Sequence, residues 1–414
     1  MSRQRRRIGE MPVHGELAAP APRLAEAEFV TLIALLISMV ALGIDTMLPA
    51  LPVMGDDLGV DGNAQQAIIS LFFLGLGLGQ MIWGPLSDTV GRKRAIYGGM
   101  ALFMAGSVLS ALTGSFVLML LGRMMQGFGA AAPRIVVIAM VRDQYAGAAM
   151  ARIMSTVMAV FIVIPAAAPA LGQGIIAIAH WRAIFALFFG MAVIASVWLA
   201  LRQPETLTPA RRRRFSFHAL WRSIIEVMRN RVAAGYMLAA SFVFSAFVGY
   251  LVTAQQIFQD LYGVGDLFAL YFAVLALAIG ASSLANGRLV ARYRMATLSR
   301  VAAMSMVAIS GLFLAYDLAV PGPPPLWLFM AAFTPLFFAV GIMFGNLNAL
   351  AMEPMGHIAG TAAAVIGSMT TLVSMVMGSL TGALYHGTLT PLLAGFAVFG
   401  SLSLGCILWA GRGK

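Results

Sequence analysis

Twelve apolar stretches follow one another through 414 residues, and the short gaps between them carry nearly all the charge. A membrane-spanning helix needs roughly 20 mainly apolar residues. The condition is met over 29–50, 66–86, 95–113, 116–140, 153–178, 183–201, 232–256, 267–286, 297–316, 326–350, 360–384 and 390–410. No period-two alternation runs through these stretches, which excludes a membrane β-barrel. Composition closes the soluble alternatives. Only 10% of the residues are charged and 60% are hydrophobic, where a soluble domain carries about 25% charged residues. A disordered chain would need low hydrophobicity and high net charge. Cys406 is the single cysteine, so neither an intrachain disulfide nor a zinc cluster is available. The expected fold class is an all-α membrane protein with twelve transmembrane helices.

The arginines predict the orientation. With the N-terminus in the cytoplasm, 24 of the 27 basic residues fall in cytoplasmic gaps, including Arg3, Arg5, Arg6, Arg7 and Arg23, the run Arg92-Lys93-Arg94, and Arg211 to Arg214. Arg182 alone falls outside, and Arg123 and Arg134 lie within a span. This follows the positive-inside rule, and both termini are expected in the cytoplasm of a multi-pass protein of the inner membrane. Residues 1–28 lack the apolar core of a cleaved signal peptide and read as a cytoplasmic tail ahead of a retained first span. The net charge of +11 is spread over alternate gaps rather than one basic stripe, so no nucleic-acid partner is expected.

Six spans precede the basic segment 202–231 and six follow it. The expected division is a tail 1–28, a six-helix half 29–201, a linker 202–231 with one surface helix near Phe217 to Val227, and a six-helix half 232–414. The halves start 203 residues apart, and that shift carries Gly84-Pro85-Leu86 onto Gly287-Arg288-Leu289. Duplicated six-span halves with a substrate site between them are a transporter arrangement.

Charges inside spans are rare and point to function. Asp45 lies about 24 Å into span one and Arg123 about 10 Å from the outer end of span four, so the two can share a depth. Two readings stand side by side: an ion pair stapling spans one and four, or a carboxylate that takes up and releases a proton. Burial favours the neutral form of a carboxyl group and a nearby guanidinium the charged form, and shifting that balance can couple a proton cycle. Arg134 lies on the face of span four that carries Arg123, beside Pro133. It either snorkels to the interface or faces a cavity, where it favours anionic or polar substrates. The 203-residue shift carries Asp45 to Val248 and Arg123 to Leu326, so the second half holds no deep charge. Its polar interior candidates are Gln255, Gln256, Asn286, Asn346 and Asn348, with the aromatics Phe242, Phe244, Phe247 and Tyr250. The candidate cavity set is Arg134, Gln126, Phe244, Phe247, Tyr250 and Asn346, and the candidate proton-coupling pair is Asp45 with Arg123.

No GxxxxGK[ST] loop, HExxH pair or GxSxG elbow occurs, and the five histidines stand apart. No enzyme, metal or cofactor is expected, and an ion gradient is the remaining energy source.

Gly84-Pro85-Leu86-Ser87-Asp88-Thr89-Val90-Gly91-Arg92-Lys93-Arg94 resembles the loop 2–3 signature of the major facilitator superfamily. Asp45-Thr46-Met47-Leu48-Pro49-Ala50-Leu51-Pro52 resembles the span-one signature of its Bcr/CflA drug-efflux family. Arg123-Met124-Met125-Gln126-Gly127, Val141-Arg142-Asp143 and Glu353-Pro354 with Ala359-Gly360-Thr361-Ala362 are similar to further motifs of that family. Ile164 to Gln173 resembles the span-five antiporter motif. Pro165, Pro169 and Gly172 lie in it, while Ala168 and Gln173 stand where the motif has glycines. The resemblance implies the major facilitator fold, two pseudo-symmetric six-helix halves; a monomer is the expected state, with the sequence leaving oligomerisation open. It implies export of small amphipathic compounds against protons, with Asp45 the proton-linked carboxylate and Arg123 governing the relay. In the gate motif Gly84, Asp88, Gly91, Arg92, Lys93 and Arg94, it implies that Asp88 latches the cytoplasmic side, meeting the start of span eleven near Gly360. The three basic residues there suit anionic lipid headgroups. A proton-coupled importer on the same fold and a non-transporting receptor or scaffold are the rival readings. The steps Gly75 to Gly79 and Gly378 to Gly382 serve either helix packing or dimerisation.

Overall fold

A computed structural model describes residues 25–60 and 62–412, apart from the side chains of 148, 151 and 159–162. The tail arginines Arg3 to Arg7 and Arg23, together with Asp61 and Lys414, lie outside the described residues. Among those described, every regular element is helical. The order is α1 Glu26–Asp45, the short α2 Leu51–Leu58, α3 Ala67–Val90, α4 Arg92–Leu112, α5 Phe116–Gln144, α6 Gly147–Ile178 and α7 Arg182–Arg202. The linker helix α8 Phe217–Arg229 precedes α9 Arg231–Gln255, α10 Phe268–Leu289, α11 Met295–Ala319, α12 Leu326–Met352, α13 Ala359–Ala383 and α14 Thr390–Gly411.

Twelve of these helices are long enough and apolar enough to cross a bilayer. They form eleven runs, because α12 and α13 join through Glu353–Ile358 into 58 residues. Fifty-eight helical residues would extend about 87 Å, nearly three hydrocarbon cores. The run leaves helical geometry at Met355 (φ −104°, ψ 17°), so it crosses twice. Large apolar side chains such as Leu112, Ile178, Leu201, Leu312 and Trp327 face outward around the bundle, where lipid replaces water as solvent.

The first span departs from expectation. It was expected to run unbroken to residue 50, but α1 stops at Asp45, and a 3₁₀ turn Leu48–Ala50 leads into α2. Pro49 explains the break, since it has no N–H and its ring would clash with the carbonyl four residues back, that of Asp45. Asp45 therefore ends a helix instead of lying within one.

Helix packing uses the small residues internally. A Cβ on Gly75 or Gly79 would strike the α5 backbone at Met124 or Phe128, and one on Gly378 would strike Val248 of α9. The GxxxG steps thus face neighbours within the chain. α3 lies against α13, where Ser368 Oγ donates to the Gly77 carbonyl (2.7 Å) and Gln80 Nε2 donates to Thr371 (3.2 Å), and α6 lies against α10.

The two ends of the bundle are joined differently. At the end away from the basic loops, Asn63 Nδ2 donates to the carbonyls of Ala383 (3.1 Å) and Tyr385 (2.8 Å). Gln66 Nε2 donates to Gln256 (2.5 Å), Ser70 meets Ser379 at 2.7 Å, and the Ala269 amide donates to Gln173 (3.3 Å). At the basic end, the hydrogen bonds between halves run through the linker. Glu205 accepts from the amides of Arg92 (3.0 Å) and Lys93 (3.1 Å), while Ser223 and Glu226 of α8 bond Thr361 and His357.

A single shift does not align the halves. Counted from the first residue of each helix, Arg123 in α5 corresponds to Phe333 in α12, not to Leu326, because loop lengths differ between the halves.

Candidate functional site

The breaks and crossings above leave a space between the halves. It is a cavity of about 400 Å³, within the range of small-molecule sites. α1, α3, α5 and α6 contribute Asp45, Phe73, Arg134 and Pro165, and α9, α10 and α12 contribute Tyr250, Phe272, Asn286 and Phe344. Aromatic rings form most of the wall. Phe244 contacts Phe73 (6.0 Å between centroids), Phe247 (5.8 Å) and Phe344 (5.5 Å), and Tyr250 meets Phe337 edge-on at 4.8 Å.

Asp45 is 5% exposed, and its carboxylate borders this cavity. Among the described residues it has no hydrogen-bond or ion-pair partner. The hydroxyl of Tyr250 is also buried without a partner there, and lies close enough for the Asp45 charge to act on it. Arg134 lines the same cavity, likewise without a partner among the described residues. Of its two readings, the geometry has it facing the cavity.

Arg123 is fully buried and does not pair with Asp45. Nη2 donates to the Gly43 carbonyl (2.6 Å), Nε to the Ile68 carbonyl (3.0 Å) and Nη1 to Gln126 Oε1 (2.7 Å), with the guanidinium 4.7 Å above the Phe72 ring. It ties α1, α3 and α5 together through backbone oxygens, two residues from Asp45. The ion pair between spans one and four is absent because those carbonyls take the guanidinium first.

Two expected cavity residues lie elsewhere. Gln126 is fully buried between Arg123 and Ser107, to which Nε2 donates (2.8 Å). Asn346 stands behind Asn286 in a reciprocal amide pair, both bonds at 2.9 Å, and it is Asn286 that borders the cavity. Phe244, Phe247 and Tyr250 are on the wall. Phe73, Phe272, Phe337 and Phe344 join them and were not singled out in the sequence.

In the span-five motif, Pro165 borders the cavity, Pro169 is buried, and Gly172 lies against the break in α1. A Cβ there would fall on the Thr46 carbonyl and crowd Pro49, so only glycine lets α6 approach.

The gate motif folds as a knot at the basic end. Gly91 takes φ +106° between α3 and α4. Arg92 is buried, with Nη1 on Asp88 (2.5 Å) and Ser87 (2.6 Å) and Nε on Asp143 (3.0 Å). Asp88 thus takes Arg92, one turn on, in place of the first turn of α13 near Gly360. Gly84 is the motif residue that nears α13, at Ala364. Because Arg92 is spent inside, only Lys93, half-buried, and Arg94, exposed, remain for lipid headgroups.

A family model described as Major Facilitator Superfamily matches residues 33–379. The chain is 28% identical over 381 residues to a bicyclomycin resistance protein homolog of Haemophilus influenzae, covering 88% of this chain and 91% of that one. It is 29% identical to a chloramphenicol resistance protein of Pseudomonas aeruginosa, covering 81% of each. The crystal structure of the human organic anion transporter MFSD10 superposes with a TM-score of 0.70 over 94% of this chain and 100% of that one. At 18% identity, that likeness concerns the fold.

Proposed function

The chain belongs to the major facilitator superfamily, and from that premise we propose that it exports small amphipathic compounds in exchange for protons, by alternating access around the aromatic cavity. The observation that carries the reading is Asp45, a carboxylate without a partner on the wall of a cavity between two six-helix halves. A buried charge left unpaired is expensive, and in a membrane carrier it marks an ion or proton site. The relatives named for bicyclomycin and chloramphenicol resistance support export as the direction.

In the proposed cycle Asp45 is protonated from outside, the compound leaves, the carrier turns inward, and Asp45 releases its proton. Arg123 acts on this indirectly. By holding the Gly43 carbonyl it fixes the last turn of α1 and so the position of Asp45. With the basic loops in the cytoplasm, the arrangement described is closed on the outer side. The carrier works as a monomer in the inner membrane with both termini cytoplasmic, and Lys93 and Arg94 meet anionic headgroups. As a member of a transporter family, it is read as a carrier and not as an enzyme.

The test is proton flux in liposomes loaded with a pH-sensitive dye, with a panel of cationic, neutral and anionic compounds. A compound that drives proton movement with the wild type and not with Asp45→Asn supports antiport through Asp45. An unimpaired Asp45→Asn protein would sink it.

A further inference from the structure

The cavity is bipolar. Of the charged and titratable side chains that line it, from α1, α3, α5, α6, α9, α10 and α12, Asp45, Tyr250 and Arg134 make the set among the described residues. Arg123 is turned away into its carbonyls. Phe29 of α1 and Tyr145 at the end of α5 are in ring contact at 5.6 Å, which fixes the register of the two helices. Counting rises from that contact puts Arg134 nearer the basic end and Asp45 about 8 Å further along the axis. Between them lie the rings of Phe73, Phe244, Phe247 and Phe344.

We infer that this cavity selects dipolar amphiphiles: an anionic or strongly accepting group on Arg134, a flat apolar body against the phenylalanines, and a donor, ammonium or hydroxyl, on Asp45. The inference rests on the antiport reading above and names its substrate class. Charge balance carries it. Arg134 without a partner in an apolar enclosure gains most from an acceptor, since a bidentate guanidinium–carboxylate pair is among the strong hydrogen bonds. Ionised Asp45 with Arg134 leaves the empty cavity neutral, and a zwitterion keeps it neutral while satisfying both groups. Protonating Asp45 then removes the partner of the donor end, so proton and substrate displace each other, as antiport requires. A simple anion behaves in the opposite way. It takes Arg134, repels ionised Asp45, and binds best together with a proton. A simple cation meets Arg134 as a like charge.

The experiment measures equilibrium binding to the full-length protein in lipid nanodiscs, with no transport step, so its outcome is separable from that of the flux assay. The probes share one scaffold: 4′-(aminomethyl)biphenyl-4-carboxylic acid, its N-acetyl derivative (an anion) and its methyl ester (a cation). At mildly alkaline pH the wild type is expected to bind the zwitterion tightest. Arg134→Gln should shrink the zwitterion-over-ester preference about tenfold, and Asp45→Asn the zwitterion-over-acetyl preference by a similar factor. Arg134→Lys, which keeps the charge, should recover part of the first ratio and serves as the folding control. As pH falls, the zwitterion should weaken and the anion tighten. An unchanged zwitterion-over-ester ratio in Arg134→Gln overturns the inference, and so does a wild type that binds none of the three or binds the ester tightest.

Discussion

Asp45 and Tyr250 are the twentieth residues of α1 and α9, the first helix of each half, and both line the central cavity. The same count pairs Arg134, nineteenth in α5, with Phe344, nineteenth in α12, again on the cavity wall. The duplication is therefore kept in position and broken in chemistry: each charge of the first half faces an aromatic ring in the place the second half reserves for it. On the proposed reading the first half therefore holds the proton-active group, and the second half offers rings at the matching positions.

Neither the Asp45 carboxylate nor the Tyr250 hydroxyl has a partner among the described residues, so neither contributes a bond to stability. Asp45→Asn is expected to melt at or above the wild-type temperature while losing proton-linked transport. Tyr250→Phe should change stability by less than about 0.5 kcal/mol, as for a substitution that breaks no bond. Thermal unfolding in detergent checks both. A marked loss of stability in Asp45→Asn would show that the carboxylate is structural.

Arg123 is the opposite case. Truncation to Ala leaves the Gly43 and Ile68 carbonyls and Gln126 without their donor in a site closed to water. Each buried acceptor left unsatisfied costs about 1–3 kcal/mol, so the variant should be strongly destabilised. Arg123→Lys keeps the charge but cannot present three directed donors, and should recover only part of the lost stability. Transport should fall in both because α1 loosens just below Asp45. If Arg123→Ala melts like the wild type, the staple has been misread.

The span count was legible because apolar length and loop charge are local properties, and a bilayer reads them directly. Asp45 and Arg134 were legible because a charge stands out in an apolar run. What was not legible depended on side-chain direction. Gln126 sits one helical turn from Arg123, and spacing alone does not tell a cavity-facing amide from one spent on its neighbour. Asn286 and Asn346 looked equivalent, and only packing decides which one stands in front. Phe337 and Phe344 were invisible among 26 phenylalanines. Aligning the halves helix by helix, instead of by one fixed shift, would have picked out Phe344 as the counterpart of Arg134. The break at Asp45 was readable from Pro49, but the apolar run concealed it.

The Asn286–Asn346 pair holds α10 to α12 directly behind the cavity wall. Each amide satisfies the other, so Asn286→Leu should leave Asn346 unsatisfied, and the reverse substitution should do the same to Asn286. Hydrogen bonds between membrane helices are worth about 0.6 kcal/mol on average and up to about 1.7. A double-mutant cycle should give a coupling in that range, with Asn286→Leu/Asn346→Leu more stable than the sum of the singles. Additive effects within error would mean that the two amides act independently.

The closure at the end away from the basic loops, the outer end in the proposed orientation, rests on neutral groups, and that fixes how it answers to pH. Asn63, Gln66 and Gln256 do not titrate. Tyr385, in the loop after α13, donates its hydroxyl to the Gln256 carbonyl (3.3 Å). Burial, and then the Asp260 carboxylate, push its phenol up to about 12. A phenol raised above its usual value of about 10 keeps its proton in the folded state after the unfolded chain has lost it. Its contribution is therefore complete below about pH 10 and is lost as pH rises towards 12. The closure should be insensitive to pH over the whole physiological range, which leaves the proton's effect to the cavity. Breaking the amides should open it: in a Cys406→Ser, Ser379→Cys background, Asn63→Ala with Gln256→Ala should raise outside labelling by an impermeant maleimide about tenfold, for about 1.4 kcal/mol of lost closure. The π-helical turn Gln256–Leu261 lies at this point, a form that often marks functional sites in helices. Labelling of the double variant that stays at the rate of this two-substitution background, or that changes between mildly acidic and neutral pH, would place the outer gate elsewhere.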